Sequence, residues 1–439
     1  MECPYINRQC ELTHSHNYAM LAQHMRHLTP YEKFPLIMKV ALRQPSSRLQ
    51  FGLMYFYQGD LCLMRGLLPE AIDFLHRAAV LVPGTEGSTR AQVCSVLATA
   101  EQLAGSSRSK CWVEKTNQIH LVDRTKASYS YVQLHTGILR AATGNFSAAE
   151  ATVAKGATRV LMRKDCSPLR AQISIMLNWF QFVTGRPELV IESMKTIYAE
   201  ENGLKKIWSF ELLVLMYALQ GRYLRCYEIL QKLKTIQGGR YGTVFHTALS
   251  GFVGTLDGKH ASPIAEDRDE VLSALLFAGD KLAAKEQTSP IGIMCLFCVS
   301  YSMLSILHPG VVSSVSKYSR PGGGTIFRLN ACLAKTMKAF AVLSKRLPFL
   351  SLLNTALLMK QAVVLNKPHG MFDEHFNIAK LVMLYSQFAL GTAILVLEWK
   401  AYTAAFGARR MEGCDKILEE IMRQFGIPSN HFLCQPYLP

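Results

Sequence analysis

Five glycines recur through the first half of the chain at nearly equal intervals: Gly66, Gly105, Gly144, Gly185 and Gly221, separated by 39, 39, 41 and 36 residues. Each stands between two apolar-periodic segments long enough to be helices. A spacing of this size leaves few options. An antiparallel helix pair with its turn occupies roughly 34–47 residues, and one pair cannot bury its own apolar faces, so a recurring pair implies a stack of pairs. The length of 439 residues agrees, because it exceeds what one compact core usually holds while a stack has no upper limit. Apolar residues make up 49% and charged residues 18%, a balance that folds rather than staying disordered. No strand-rich segment is present. The expected fold is all-α, an α-solenoid of antiparallel helix pairs.

The fullest unit runs from about Gly52 to Pro83. Its first helix carries Tyr55, Gly59 and Cys62, its turn holds Gly66 and Pro69, and its second helix carries Ala71, Leu75 and Ala78. Small residues at Gly59, Ala71 and Ala78 let two helices approach closely, while Tyr55 and Leu75 fill the remaining volume. Gly66 suits a left-handed cap, Pro69 opens the next helix with its fixed φ, and Pro83 stops it. This set resembles the tetratricopeptide repeat. Gly59, Gly66, Ala71, Leu75, Ala78 and Pro83 stand at the small, turn, packing and terminating positions of that family, whereas Cys62 and Leu68 stand where it usually has aromatics. The resemblance implies a helical array that binds partner proteins.

Later units keep parts of the pattern. Gly144 is followed by Ala149 and preceded by Gly137. Gly221 is followed by Cys226, Leu230 and Leu233, and Gly185-Arg186-Pro187 opens another second helix. Beyond about residue 260 the glycine pattern fades into helical stretches without turn glycines. The organisation expected is an N-terminal segment and first helix over 1–45, a repeat array over 46–260 and a divergent helical continuation over 261–439. Long repeats of about 40 residues are also similar in style to the non-catalytic regions of soluble adenylyl cyclases and of maltose-regulator-type ATPases. That likeness implies a regulatory array; no cyclase or nucleotide-binding motif accompanies it.

The net charge of +16 favours acidic partners. Lys205, Lys206, Arg222, Arg225, Lys232 and Lys234 cluster around one repeat, and on one face they would draw an acidic protein surface or peptide. Aromatics interleaved with basic residues are not evident, so nucleic acid is not expected as a partner. A further amphipathic segment, Thr325 to Arg346, sets Leu329, Leu333, Met337 and Phe340 on one stripe and Arg328, Lys335, Lys338, Lys345 and Arg346 on another.

Two uncharged stretches, 291–307 and 381–397, have 17 residues each, the lower edge of a membrane-spanning length. Core helices surrounded by protein have the same composition, and that is the preferred reading; a chain embedded through both stretches is the alternative. Residues 1–23 lack an apolar core, so no secretory leader is expected. Most of the twelve cysteines sit in apolar helical stretches, as small buried hydrophobes do. A reducing, cytoplasmic setting follows. Gly322-Gly323-Gly324-Thr325 ahead of a helix could cradle an anion, but no strand precedes it and the Gly-Lys-Ser ending of a P-loop is missing. Cys3, Cys10, His14 and His16 could supply four zinc ligands, but their spacing fits no standard finger. Cys295 and Cys298 lie within a continuous apolar helix, which favours packing over redox chemistry. No protease, hydrolase, kinase or dinucleotide fingerprint occurs. The expectation is a non-catalytic scaffold or adaptor without cofactor or metal, binding a partner along a helical groove.

Overall fold

The computed structural model describes residues 48–64, 67–119, 127–160, 167–194, 203–236, 240–257, 268–285, 287, 289–307, 324–367, 378–406 and 414–427. These residues form eighteen α-helices, a short 3-10 turn and no strand, so the fold is all-α. The chain divides into two compact units, Met1–Leu177 with Glu200–Lys205 and Asn178–Ala199 with Lys206–Pro439. The division falls within a helix, Ser167–Val183.

The first unit holds α1 (Arg48–Met64), α2 (Leu68–Leu81), α3 (Gly87–Leu103), α4 (Ser109–Gln118), α5 (Ala127–Ala142), α6 (Phe146–Val160) and the start of α7 (Ser167–Val183). Successive helices pair as α1–α2, α3–α4 and α5–α6, and neighbouring pairs meet through α2–α3 and α3–α5. Two of these pairs close in the same way. A Cβ added at Gly59 would stand 2.6 Å from Leu75 Cγ and 3.1 Å from the Ala71 carbonyl oxygen. A Cβ added at Gly137 would collide with Val153 Cγ2 and stand 3.1 Å from the Ala149 carbonyl oxygen. Ala71, Leu75, Ala78, Ala149 and Val153 are fully buried beneath these contacts. The two sites lie 78 residues apart, twice the glycine interval, and carry the same small-against-large lock.

The recurring glycines mark helix ends. Gly105, Gly144, Gly185 and Gly221 have φ of +74°, +85°, +83° and +70°, a region that side chains with a Cβ avoid. After each, the next N–H reaches back five residues: Ser106 to Glu101 at 2.8 Å, Asn145 to Arg140 at 3.1 Å, Arg186 to Gln181 at 2.9 Å and Arg222 to Tyr217 at 2.9 Å. This is the Schellman cap, which satisfies carbonyls that a helix end otherwise leaves open. Gly66 lies outside the described residues, yet Leu67 N–H makes the same bond to Cys62 at 2.9 Å. Helix α2 ends at Leu81, Val82 caps it in an extended conformation, and Pro83 comes next.

The second unit begins with the end of α7 and contains α8 (Pro187–Met194), α9 (Gly203–Leu219) from Lys206 onward, α10 (Tyr223–Ile236), α11 (Arg240–Leu256), α12 (Arg268–Ala283), α13 (Pro290–Ile306), α14 (Gly324–Arg346), α15 (Ser351–Leu365), α16 (Ile378–Leu384), α17 (Ala389–Phe406) and α18 (Cys414–Phe425). Helix α13 sits at its centre and packs against α11, α12, α14 and α15. Phe297 and Tyr301 of α13 meet Phe252 of α11, and Phe297 meets Phe340 of α14. Fourteen of the seventeen α13 residues are buried, so the uncharged stretch 291–307 is enclosed by protein.

The stretch 381–397 is not the single helix an embedded span requires. Helix α16 stops at Leu384, Phe388 N–H closes a turn on the Tyr385 carbonyl at 2.8 Å, and α17 starts afresh at Ala389. Among the described residues, the one segment of span length and composition is Pro348–Leu365, which is 56% buried and contains Lys360.

The end of this unit returns to its beginning. Phe425 of α18 meets Phe182 of α7 edge-on at 6.1 Å, and Gln220 Nε2 donates to the Phe425 carbonyl at 3.2 Å across 205 residues. A Cβ at Gly185 would stand 2.9 Å from Gln424 Oε1 and 3.3 Å from Ala389 Cβ. An open stack brings only neighbouring pairs together. Here the last helices cover the first turns, which departs from that pattern.

Candidate functional site

The six basic residues expected to share a face do not gather into one among the described side chains. Lys205 and Lys206 lie in the first turn of α9, where side chains are not described. Arg222, just before α10, places its guanidinium 5.9 Å from the centre of the Tyr217 ring. Arg225 pairs with Glu228 at 2.8 Å. With about 3.6 residues per turn, Arg225 and Lys232 fall on one flank of α10 and Lys234 on the other. Cys226, Ile229, Leu230 and Leu233 fill the buried arc between those flanks. Cys3, Cys10, His14, His16, Gly322 and Gly323 lie outside the described residues, as does the Thr325 side chain. Cys295 and Cys298 are fully buried, and burial pushes both thiols up, away from the reactive thiolate.

A more coherent cationic surface lies on α14. Its 23 residues contain five cations and no carboxylate. Arg328, Lys335, Lys338, Val342, Lys345 and Arg346 fall within roughly 100° of its circumference, away from the buried Leu329, Cys332, Thr336 and Phe340. From Arg328 to Arg346 the stripe runs about 27 Å at 1.5 Å per residue. Two exposed apolar side chains lie on the same side, Phe327 at 74% and Val342 at 41%.

Four of the six side chains in this stripe, Lys335, Lys338, Val342 and Arg346, border a groove of about 360 Å³. Lys335, Lys338 and Arg346 of α14 form one wall, Lys285 and Gln287 from the α12–α13 connection form the other, and Leu296 and Leu343 lie at its base. No carboxylate lines the groove among the described residues. Lys335 is paired with Asp280 at 2.9 Å on the exposed outer side. On the opposite side, Gln287 and Ser289 make hydrogen bonds to neighbouring backbone. Gln287 Nε2 donates to the carbonyls of Leu282 at 2.8 Å and Lys285 at 3.2 Å, and the Ser289 hydroxyl caps α13 by accepting from Gly292 N–H at 3.1 Å. The sequence had shown the α14 cations only as the polar side of an amphipathic helix. Their signal was the lack of acidic residues within the helix itself.

A second polar cluster lies inside the unit. Lys360 of α15 is 0% exposed. Its Nζ stands 3.9 Å from Glu398 Oε1 of α17 and 3.9 Å from the centre of the Tyr301 ring on α13. The Tyr301 hydroxyl donates to the same Glu398 oxygen at 2.7 Å. Glu398 Oε2 is buried and has no hydrogen-bond partner among the described residues. Burial lowers the Lys360 pKa, and the Glu398 carboxylate opposes that shift. With no exposed surface on Lys360, the cluster meets no substrate in this conformation. It ties three core helices together.

No protein-family model, curated protein or solved structure matches the chain at a significant level.

Proposed function

We propose that the chain is a non-catalytic adaptor, a tetratricopeptide-like array of helical hairpins that holds a partner protein. The observation that carries this reading is the repeated lock: Gly59 beneath Leu75 and Gly137 beneath Val153, 78 residues apart, with Schellman caps at four glycines of the same series. Repeated hairpins with a common packing rule present extended surfaces, and such surfaces act by binding. The partner fits a protein with an acidic surface or peptide, given the excess of sixteen positive charges, and the setting proposed is the cytoplasm.

Photo-crosslinking tests this reading. A photoreactive residue is placed singly at exposed positions of α2, α6, α10 and α14 in the full chain. The expected result is one protein captured reproducibly from a subset of neighbouring positions. Capture of no protein from any position, in cells that express the chain at its natural level, would remove the adaptor reading.

A further inference from the structure

We infer that the groove between the α12–α13 connection and α14 is a docking site for an acidic amphipathic helix of a partner protein. The inference rests on the adaptor reading and names the partner's chemistry. Three observations carry it. The first is charge: α14 carries five cations and no carboxylate, and although Asp280 already pairs with Lys335, Lys338 borders the groove with its side chain exposed. The second is the apolar strip between those charges, formed by Ala339, Val342 and Leu343 over Leu296, which suits leucine-like side chains rather than a bare polyanion. The third is reach. A cationic stripe about 27 Å long spans some 18 residues of helix, too long for a small anion and suited to a polypeptide segment.

The shape distinguishes the occupants. A membrane surface is flat and would meet the rim of a concavity before its floor, while a helix lays a ridge of side chains into it. Nucleic acid stacks successive bases on aromatic rings, and this surface offers one exposed ring, Phe327, outside the groove, with no aromatic side chain lining the groove among the described residues. The Gln287 side chain is already held by the Leu282 and Lys285 carbonyls before binding. Less ordering is then needed when the partner arrives.

The test uses the full chain and a fluorescein-labelled 20-residue peptide with leucines at i, i+3, i+4 and i+7 and glutamates elsewhere, read by anisotropy. Competitors are a peptide of the same composition with its leucines scattered, a 20-nucleotide oligothymidylate, and vesicles rich in phosphatidylserine. Lys338→Glu with Arg346→Glu should weaken peptide binding by about tenfold or more, and Val342→Asp should weaken it without altering the helix content. Arg225→Glu with Lys232→Glu, on α10, should leave it within about twofold, and added salt should weaken binding throughout. Lys338→Ala serves as the milder substitution should the double reversal disturb folding. Equal binding by the scattered peptide, or no effect of the groove substitutions, overturns the inference. It is likewise overturned if oligonucleotide or vesicles bind in a Lys338-dependent manner while the peptide does not. The adaptor reading fails separately, through an absence of cross-linked protein at every position.

Discussion

Replacing Glu398 by leucine separates the electrostatic role of the buried cluster from its packing. In the folded chain the substitution leaves Lys360, with no exposed surface, deprived of the carboxylate 3.9 Å away, and deprives the Tyr301 hydroxyl of its 2.7 Å acceptor. Breaking a buried pair by removing one partner destabilises by about 3–5 kcal/mol, and the loss of the Tyr301 hydrogen bond to a charged acceptor adds about 1.5–3 kcal/mol. A domain stable by about 5–15 kcal/mol would lose a large part of its margin. Combining Glu398→Leu with Lys360→Met removes both charges, and such replacements are commonly neutral or stabilising by about 1–4 kcal/mol. The double variant should therefore be more stable than the single one, although it changes more atoms. The pH dependence has a definite sign. Burial holds the Lys360 pKa below the lysine value of about 10.4. Between the two values the unfolded chain binds the extra proton, so stability rises with pH in that window. Removing Glu398 removes an influence that raises the folded value, so the window of the single variant extends to lower pH and its penalty shrinks as the solution becomes alkaline. Urea denaturation of the full chain at a series of pH values, followed by circular dichroism, measures this. Equal losses in the single and double variants, with no pH dependence of their difference, would refute the reasoning.

Three further outcomes follow from the packing. Gly137→Val should destabilise by about 1–3 kcal/mol through overpacking against Val153, and Gly59→Val should behave alike against Leu75, read as matching shifts in denaturation midpoint. Gly221→Ala should cost about 1–2 kcal/mol, because φ of +70° is unfavourable for a residue with a Cβ, whereas the same change at Gly84, where a Cβ meets nothing within 4 Å, should be nearly neutral. Phe425→Ala should cost about 3–5 kcal/mol and raise hydrogen exchange at the α7–α8 turn, which α18 covers through Phe182 and Gly185.

What the sequence revealed depended on how local each constraint was. A left-handed helix cap is set by one residue, so the glycine series exposed the helix ends and the all-α fold. The lock at Gly59 was also legible, because its partners Ala71 and Leu75 lie within one hairpin. The return of α18 onto α7 was not, since a contact between Phe182 and Phe425 leaves no periodic trace. The break between α16 and α17 was missed because Tyr385-Ser386-Gln387-Phe388 contains neither glycine nor proline. Lys360 and Glu398 were each a lone charge in an apolar helix, and no spacing rule joins residues 38 positions apart. Attention to basic residues near turns favoured Arg222 and Arg225. A long helix with cations and no acids, which describes α14, is a separate clue that the sequence also held.

The most direct measurement of the central claim is a cross-link from the groove itself. With a photoreactive residue at Val342 or Ala339 and a control position at Leu224 on α10, which is 80% exposed, captured peptides are identified by mass spectrometry. The account predicts partner peptides from the groove positions that are acidic and amphipathic, lost when Lys338 and Arg346 are reversed to glutamate. Groove positions that capture nothing while Leu224 captures a partner, or peptides without acidic character, would contradict it.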